Sequence, residues 1–467
     1  MELQNNLCEN KVNAAQTIIF LEEKILIDEF HRSDLHAKPW SLANDFVSAL
    51  RELQNHFLLA IVKDSGKETP SIDELLDSLS REFGIIISTS LKEDDIPAEC
   101  RYHLHPGLKL SIFAGESAQD PGSFLPKNLT LCFHNHTDMV SWILSHPHPY
   151  RNLIDSLLSG AQVIKKGGLV AFPTETVYGL GADATNPGAV EDIFKAKKRP
   201  FYDPLIVHVS DREQMLQLVT SLPAKAEELI ARFWPGPLTI VLPKSPLVPA
   251  IVTAGSPSVA VRMPSNPIAL ELIRLSGKPI AAPSANRFGC TSPTTAKHVH
   301  DQLGGTYDVM IDGGACIVGI ESTVISFLGE TPRILRPGGI DQQAIESCIG
   351  KVISEQKASP EESSTSPGML PSHYATATPL RIVDNLSDYA SRSDVGVLLF
   401  GKCDQVFMGP VEYLSLSSDT AEAAKRLYQA MRKLDSLSLS LLVVELLPES
   451  GIGIAVNNRL RKAANNA

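Results

Sequence analysis

The stretch "GGLVAFPTETVYGLGADATNP", residues 167–187, decides how this chain is read. An apolar run, Leu169 to Phe172, stops at Pro173 and passes at once into Thr174, Glu175 and Thr176, followed by Tyr178 and two more glycines. Open α/β sheets place their ligand crevice at such strand ends, where hydroxyls and a carboxylate can face a small molecule. The competing interpretation is a turn of two threonines with a solvent-facing Glu175.

Outward from this stretch, Asn186 and Pro187 form an N-cap and N1 pair, and a helix is expected over 188–198. It ends in Lys195, Lys197, Lys198 and Arg199, with Pro200 as its stop. Cations there answer the helix macrodipole, but Lys197 and Arg199 can also project past the end as a fork for an oligophosphate. Further polar strand ends follow. "KPIAAPSANRFG" (278–289) carries Ser284 and Asn286, "GIESTVISF" (319–327) carries Ser322 and Thr323, and "VAVRMP" (259–264) and "ILRPGG" (334–339) bring Arg262 and Arg336. Together they describe a crevice for a phosphorylated nucleotide and a small polar substrate. There is no G-x-x-x-x-G-K-[ST] and no G-x-S-x-G, which excludes a P-loop enzyme and a nucleophile elbow at the level of motif.

Around these turns, short apolar strands alternate with amphipathic helices from about residue 151, as in an α/β domain. Strands are expected at 168–172, 204–209, 238–243, 258–263, 278–283, 308–313, 322–327 and 332–337. The Ser-, Pro- and Glu-rich segment within 351–378 reads as a linker, although Met369, Leu370, His373 and Tyr374 are odd choices for a passive spacer. Residues 379–467 read as a small βαβα unit. Residues 1–150 read as an α+β extension, helical over 41–62 and 71–84 and strand-like at 84–89, 108–115 and 129–135. It carries histidine pairs at 103/105, 134/136 and 146/148, which lack a recognisable ligand spacing and are taken as surface or core residues.

The chain has 467 residues, so two or three domains are expected. Its 43% hydrophobic and 20% charged content is that of a globular protein, and its net charge of -11 gives no overall attraction for a polyanion such as RNA. No long apolar span or signal peptide is recognised, which points to the cytoplasm. Seven scattered cysteines without a C-x-x-C pair are expected to be reduced and mostly buried.

The motifs "FPTETVYGLG", "IFKAKKRPFYDPLIVHV", "FWPGPLTIVL", "VAVRMP", "APSAN" and "ESTVISF" followed by "ILRPG" resemble those of the Sua5/YrdC family of threonylcarbamoyl-adenylate synthases. The K-x-R pair (Lys197, Arg199) and the S-x-N pair (Ser284, Asn286) stand intact and in order. "SPGMLPSHYA" (366–375) is similar to the linker that closes over the site in the long Sua5 type, except that Thr376 stands where the family usually has proline. The resemblance covers about 151–467 and implies a YrdC-like twisted mixed-sheet domain at 151–350, a linker and lid at 351–378 and a small Rossmann-like Sua5 domain at 379–467, with 1–150 unassigned.

The activity implied is synthesis of threonylcarbamoyl-AMP and pyrophosphate from L-threonine, bicarbonate and ATP, for modification of adenosine 37 in tRNA. A separate Kae1/TsaD-type transferase would take the product, so no stable tRNA binding and no membrane contact are implied. Lys197 and Arg199, with Mg²⁺, are the implied phosphate ligands. Ser284 and Asn286 would bond the phosphate region, and Ser322 and Arg336 the nucleotide. Thr174, Thr176, Tyr178, His208 and Arg262 would hold threonine, while His373 and Tyr374 close the lid over the nucleotide; no protein-held metal is implied. His208 could equally be a satisfied core histidine, and Tyr178 could simply pack. Two other classes stay open: a hydrogenase-maturation carbamoyltransferase, whose zinc-finger and acylphosphatase modules are missing here, and a nucleotide- or RNA-binding module without synthase activity.

Overall fold

The computed structural model describes residues 18–22, 58–63, 89–92, 108–114, 127–133, 150–354 and 373–465. They belong to two compact units, Met1–Asp155 and Ser156–Ala467.

In the first unit five strands form one sheet: β1 (Ile18–Glu22), β2 (Leu58–Lys63), β3 (Thr89–Lys92), β4 (Leu108–Ala114) and β5 (Lys127–Phe133), in the order β3-β2-β1-β4-β5. β1 runs parallel to β2 and antiparallel to β4. The helix expected over 41–62 overruns into β2, because "LLAIVK" is an apolar run too short for its periodicity to separate helix from strand. The three histidine pairs and the helix expected at 71–84 lie outside the described residues.

Helix α1 (Tyr150–Lys165) leads into the second unit. β6 (Val170–Phe172) and β7 (Gly179–Asp183) form an antiparallel hairpin, with Phe172 opposite Gly179 and Val170 opposite Gly181. β7 is a strand the sequence pattern does not announce, since it is glycine-rich. A Cβ on Gly181 would lie 2.6 Å from both the Phe172 ring and Ile280 Cγ2, so the strand survives only without a side chain there.

Helix α2 (Pro187–Lys197) is capped by Asn186, whose Oδ1 accepts from the N–H groups of Gly188 and Ala189. It ends one residue before Lys198, which adopts a left-handed conformation at φ 52°. α3 (Arg212–Leu218), α4 (Ala224–Phe233), α5 (Pro267–Ser276), α6 (Ala296–Leu303) and α7 (Gln342–Ile349) follow in chain order.

The remaining strands of this sheet are β8 (Ile206–His208), β9 (Leu238–Pro243), β10 (Ser258–Arg262), β11 (Ile280–Ala281), β12 (Val309–Met310), β13 (Thr323–Ser326), β14 (Arg333–Arg336) and β15 (Ile353–Ser354). The ten-stranded mixed sheet runs β12-β6-β7-β11-β8-β10-β9-β13-β14-β15. β15 pairs parallel with β14, so the first residues assigned to the linker belong to the sheet. Leu180, Val190, Phe194, Val207, Leu229, Ile240 and Val261 are among the buried residues that fuse sheet and helices into one core.

Beyond the linker, β16 (Leu380–Ile382), β17 (Val395–Phe400), β18 (Val411–Ser415) and β19 (Leu441–Val444) form a parallel sheet in the order β16-β19-β17-β18, with helices α8 (Thr420–Asp435) and α9 (Gly453–Ala464). This is the Rossmann-like architecture expected, with β16 and β18 added to it. Its core does not stop at its own edge: Leu427, Tyr428, Met431 and Leu460 share one cluster with Val177, Ile320 and Tyr374. No described helix is long and apolar enough to cross a membrane. Among the described cysteine side chains only Cys316 is buried and Cys403 is exposed, so the expectation of mostly buried thiols fails there.

Candidate active site

The turn between β6 and β7 holds itself in shape with its own hydroxyls. Thr174 Oγ1 donates to the Val177 carbonyl at 2.6 Å and lies 2.8 Å from Thr176 Oγ1, while the N–H groups of Thr176 and Val177 point back at Thr174. Glu175 is not solvent-facing. It is buried and lies 2.6 Å from Arg262 Nη2, and Arg262 Nη1 donates to Thr176 Oγ1 at 2.9 Å. Polar strand-end residues are therefore packed inward as an ion-paired wall: Thr174 does hold a turn, but Glu175 is not solvent-facing.

Arg262 and His208 stand side by side because β8 and β10 run parallel in that register, both at carboxyl ends. Burial and the neighbouring guanidinium push the His208 imidazole down to about 3, so it is neutral near pH 7. Its Nδ1 is buried with no hydrogen-bond partner among the described residues.

A second wall comes from the K-x-R and S-x-N segments. Lys197, 1% exposed, turns inward and donates from Nζ to the carbonyls of Ser284 (2.5 Å) and Asn286. Burial, followed by repulsion from Arg199, pushes this ammonium well below its usual range. Arg199 is paired with Asp203 at 2.8 Å and donates to the Pro204 carbonyl at 2.9 Å. The freely projecting fork is thus replaced by a braced one: Arg199 lines the cavity, whereas Lys197 and Asn286 stand behind it and hold Ser284. A β-bridge between Gly179 and Ser284 ties this wall to the first.

Arg336, at the end of β14, donates to the Ser322 carbonyl from Nε (3.1 Å) and to Ser322 Oγ from Nη2 (3.1 Å). Ser322 Oγ also lies 2.7 Å from Thr239 Oγ1. His373 and Tyr374 close the roof, with rings 4.2 Å apart, and Tyr374 holds a left-handed backbone at φ 65°. Burial is also the main cause that pushes His373 down to about 3.

Thr174, Thr176, Tyr178, Arg199, His208, Arg262, Ser284, Ser322, Arg336, His373 and Tyr374 all line one cavity. Tyr178 does so with its ring, because its hydroxyl donates to the Gly314 carbonyl at 2.7 Å. The rest of the lid sequence, 366–372, lies outside the described residues.

Glu321 also lines the cavity and was not singled out from the sequence. It accepts from Ser292 Oγ (2.5 Å), Tyr428 OH (3.0 Å) and Arg459 Nε (2.9 Å). Its carboxyl is held at about 2: burial opposes ionisation, and Arg459 and Arg336 outweigh it. Arg459 was detectable in principle, because Val456, Arg459, Leu460 and Ala463 share one buried helical stripe.

Such a cavity gathers arginines and hydroxyls at the strand ends of a mixed α/β sheet under a two-ring roof, a donor set complementary to anionic and small polar groups. A family profile for Sua5, YciO and YrdC proteins, described as "Telomere recombination", matches residues 162–338. One described as "Threonylcarbamoyl-AMP synthase, C-terminal domain" matches 340–465. Threonylcarbamoyl-AMP synthase of Pyrococcus abyssi is 43% identical over 321 residues, 65% of this chain and 92% of the relative. That of Bacillus subtilis is also 43% identical, over 66% of this chain and 92% of the relative. The crystal structure of P. abyssi Sua5 complexed with L-threonine aligns with a TM-score of 0.63 at 42% identity, covering 66% of this chain and 94% of that one. The chain belongs to the Sua5/YrdC family of threonylcarbamoyl-AMP synthases.

Proposed function

We propose that the protein makes threonylcarbamoyl-AMP and pyrophosphate from L-threonine, bicarbonate and ATP. The observation that carries this is the meeting of two walls in one cavity, Thr174, Thr176 and Arg262 on one side and Arg199, Ser284, Ser322 and Arg336 on the other, beneath His373 and Tyr374. The first wall suits an amino acid, with N–H donors left on Arg262 for a carboxylate. The second suits phosphates.

Threonine's amine adds to bicarbonate and water leaves, giving a carbamate. A carbamate oxygen then attacks the α-phosphorus of ATP, and the bond to the β-phosphate oxygen breaks as pyrophosphate departs. The nucleophile is anionic, so the protein's task is positioning, charge neutralisation and exclusion of water from an unstable carbamate. His208 and His373, neutral at physiological pH, serve as hydrogen-bonding groups. Arg199 and Arg336 supply the positive charge, and Lys197 fixes the Ser284–Asn286 turn. His373 and Tyr374 line the cavity from the side of the C-terminal domain and stand over the space between the two walls.

Mg²⁺ enters as the companion of the triphosphate. No three His, Cys, Asp or Glu side chains cluster among the described residues, and the buried carboxylates Glu175, Asp203 and Glu321 are each paired with an arginine. This donor set does not fit a protein-held ion. We also propose hand-off of the product to a Kae1/TsaD-type transferase, a cytoplasmic location, and a division into 1–150, 151–354, 355–378 and 379–467, the catalytic domain extending through β15. Incorporation of labelled bicarbonate carbon into an AMP adduct that also contains threonine tests the reaction. An adduct that lacks threonine or the labelled carbon contradicts it.

A further inference from the structure

Arg459 projects from α9 of the C-terminal sheet domain and is 1% exposed, at the back of the catalytic wall. Its Nε donates to Glu321 at 2.9 Å, and its Nη1 donates to the Pro337 carbonyl and to Asn458 Oδ1 at 3.3 Å. Both the first and second of these partners adjoin nucleotide-wall residues: Glu321 precedes Ser322, and Pro337 follows Arg336. The guanidinium also lies over the Tyr374 ring, 5.5 Å from its centroid. One turn further along α9, the Lys462 carbonyl accepts from the His373 N–H at 3.3 Å. A buried charge with this many directed contacts is costly to place and strongly orienting once placed.

We propose that Arg459 is a positioning residue for the synthase reaction: from the C-terminal domain it sets the Ser322–Arg336 nucleotide wall through Glu321 and Pro337, and it seats Tyr374 over the cavity. The proposal rests on the function given above for this cavity. Among the described residues no hydrogen bond or ion pair joins Thr174, Thr176 or Arg262 to Arg459, so its influence falls on ATP and not on threonine.

The test uses the full chain, wild type and four variants: Arg459→Met, Arg459→Lys, Tyr428→Phe and the double variant Glu321→Gln with Arg459→Met. KM for ATP, KM for L-threonine and kcat are measured, with ATP binding by calorimetry as a readout that does not need turnover. Arg459→Met is expected to weaken ATP binding and raise its KM by about 10-fold or more, the size of one lost charge-assisted hydrogen bond. L-threonine's KM stays near wild type. Arg459→Lys keeps the charge beside Glu321 and is expected to recover part of the loss, and Tyr428→Phe, which leaves the ion pair in place, to show less. The double variant removes the uncompensated buried carboxylate and so guards against misfolding. ATP binding that stays weak in it supports positioning; wild-type ATP binding there overturns it, because Arg459 would then only neutralise Glu321. Equal weakening of ATP and threonine also overturns it. Wild-type protein that binds ATP but fails to turn it over with threonine contradicts the function, while the binding comparison still decides the role of Arg459.

Discussion

Lys197 braces more than it reaches. With Nζ spent on two carbonyls in a site 1% exposed, its removal frees the Ser284–Asn286 turn. Lys197→Ala is therefore expected to lower kcat/KM by about 10-fold or more, the size of leaving buried carbonyls without their donor. Lys197→Arg should not restore it, because a planar fork does not fit between the two acceptors; steady-state kinetics of both variants checks this. His208 gives a prediction in pH. Its folded value of about 3 lies below the ordinary 6.5, so on acidification the unfolded chain takes up its proton first. Its contribution to stability is complete above about 6.5 and is lost as pH falls toward about 3. In urea unfolding across that window, His208→Gln should lose stability less steeply than wild type, by up to one proton; an unchanged slope contradicts the buried neutral imidazole. The polar residues at strand ends were legible because apolar runs break on them abruptly. Glu321 and the inward pairing of Glu175 were not, since a carboxylate in a turn looks solvent-facing until its arginine is known, and those partners are Arg262 and Arg459, far away in sequence.

At the scale of elements, caps were readable and glycine-rich strands were not. Asn186 and Pro187 announced α2, whereas β7 was hidden because Gly181 is demanded by the Phe172 ring and not by strand propensity. Similarly, nothing local marks Gly319 as a docking point. It has φ +81°, and a Cβ there would lie 2.4 Å from Lys425 Cα and 2.7 Å from the Ala424 carbonyl oxygen on α8. Gly319→Ala is expected to destabilise the protein by about 1–3 kcal/mol through strain and a backbone clash. It should also raise the KM for ATP, because it pushes α8 and Tyr428 away from Glu321. Thermal unfolding with kinetics measures both, and loss of stability with an unchanged KM would separate docking from the site.

At the scale of the molecule, the change of pattern near residue 151 was visible in the sequence as alternating strands and helices, and the contact division falls between Asp155 and Ser156. Less visible was that the C-terminal sheet shares a core with the cavity through Val177, Ile320 and Tyr374, since a linker separates the two in sequence. Every residue assigned to the site lies in the second unit, so a chain beginning at residue 151 is expected to keep turnover; a folded but inactive truncation contradicts this. The most direct test of the central claim is pyrophosphate release from ATP and Mg²⁺, with L-threonine and bicarbonate added singly and together. Release that requires both is the predicted result. Release without threonine, or none from a protein that binds ATP, would contradict it.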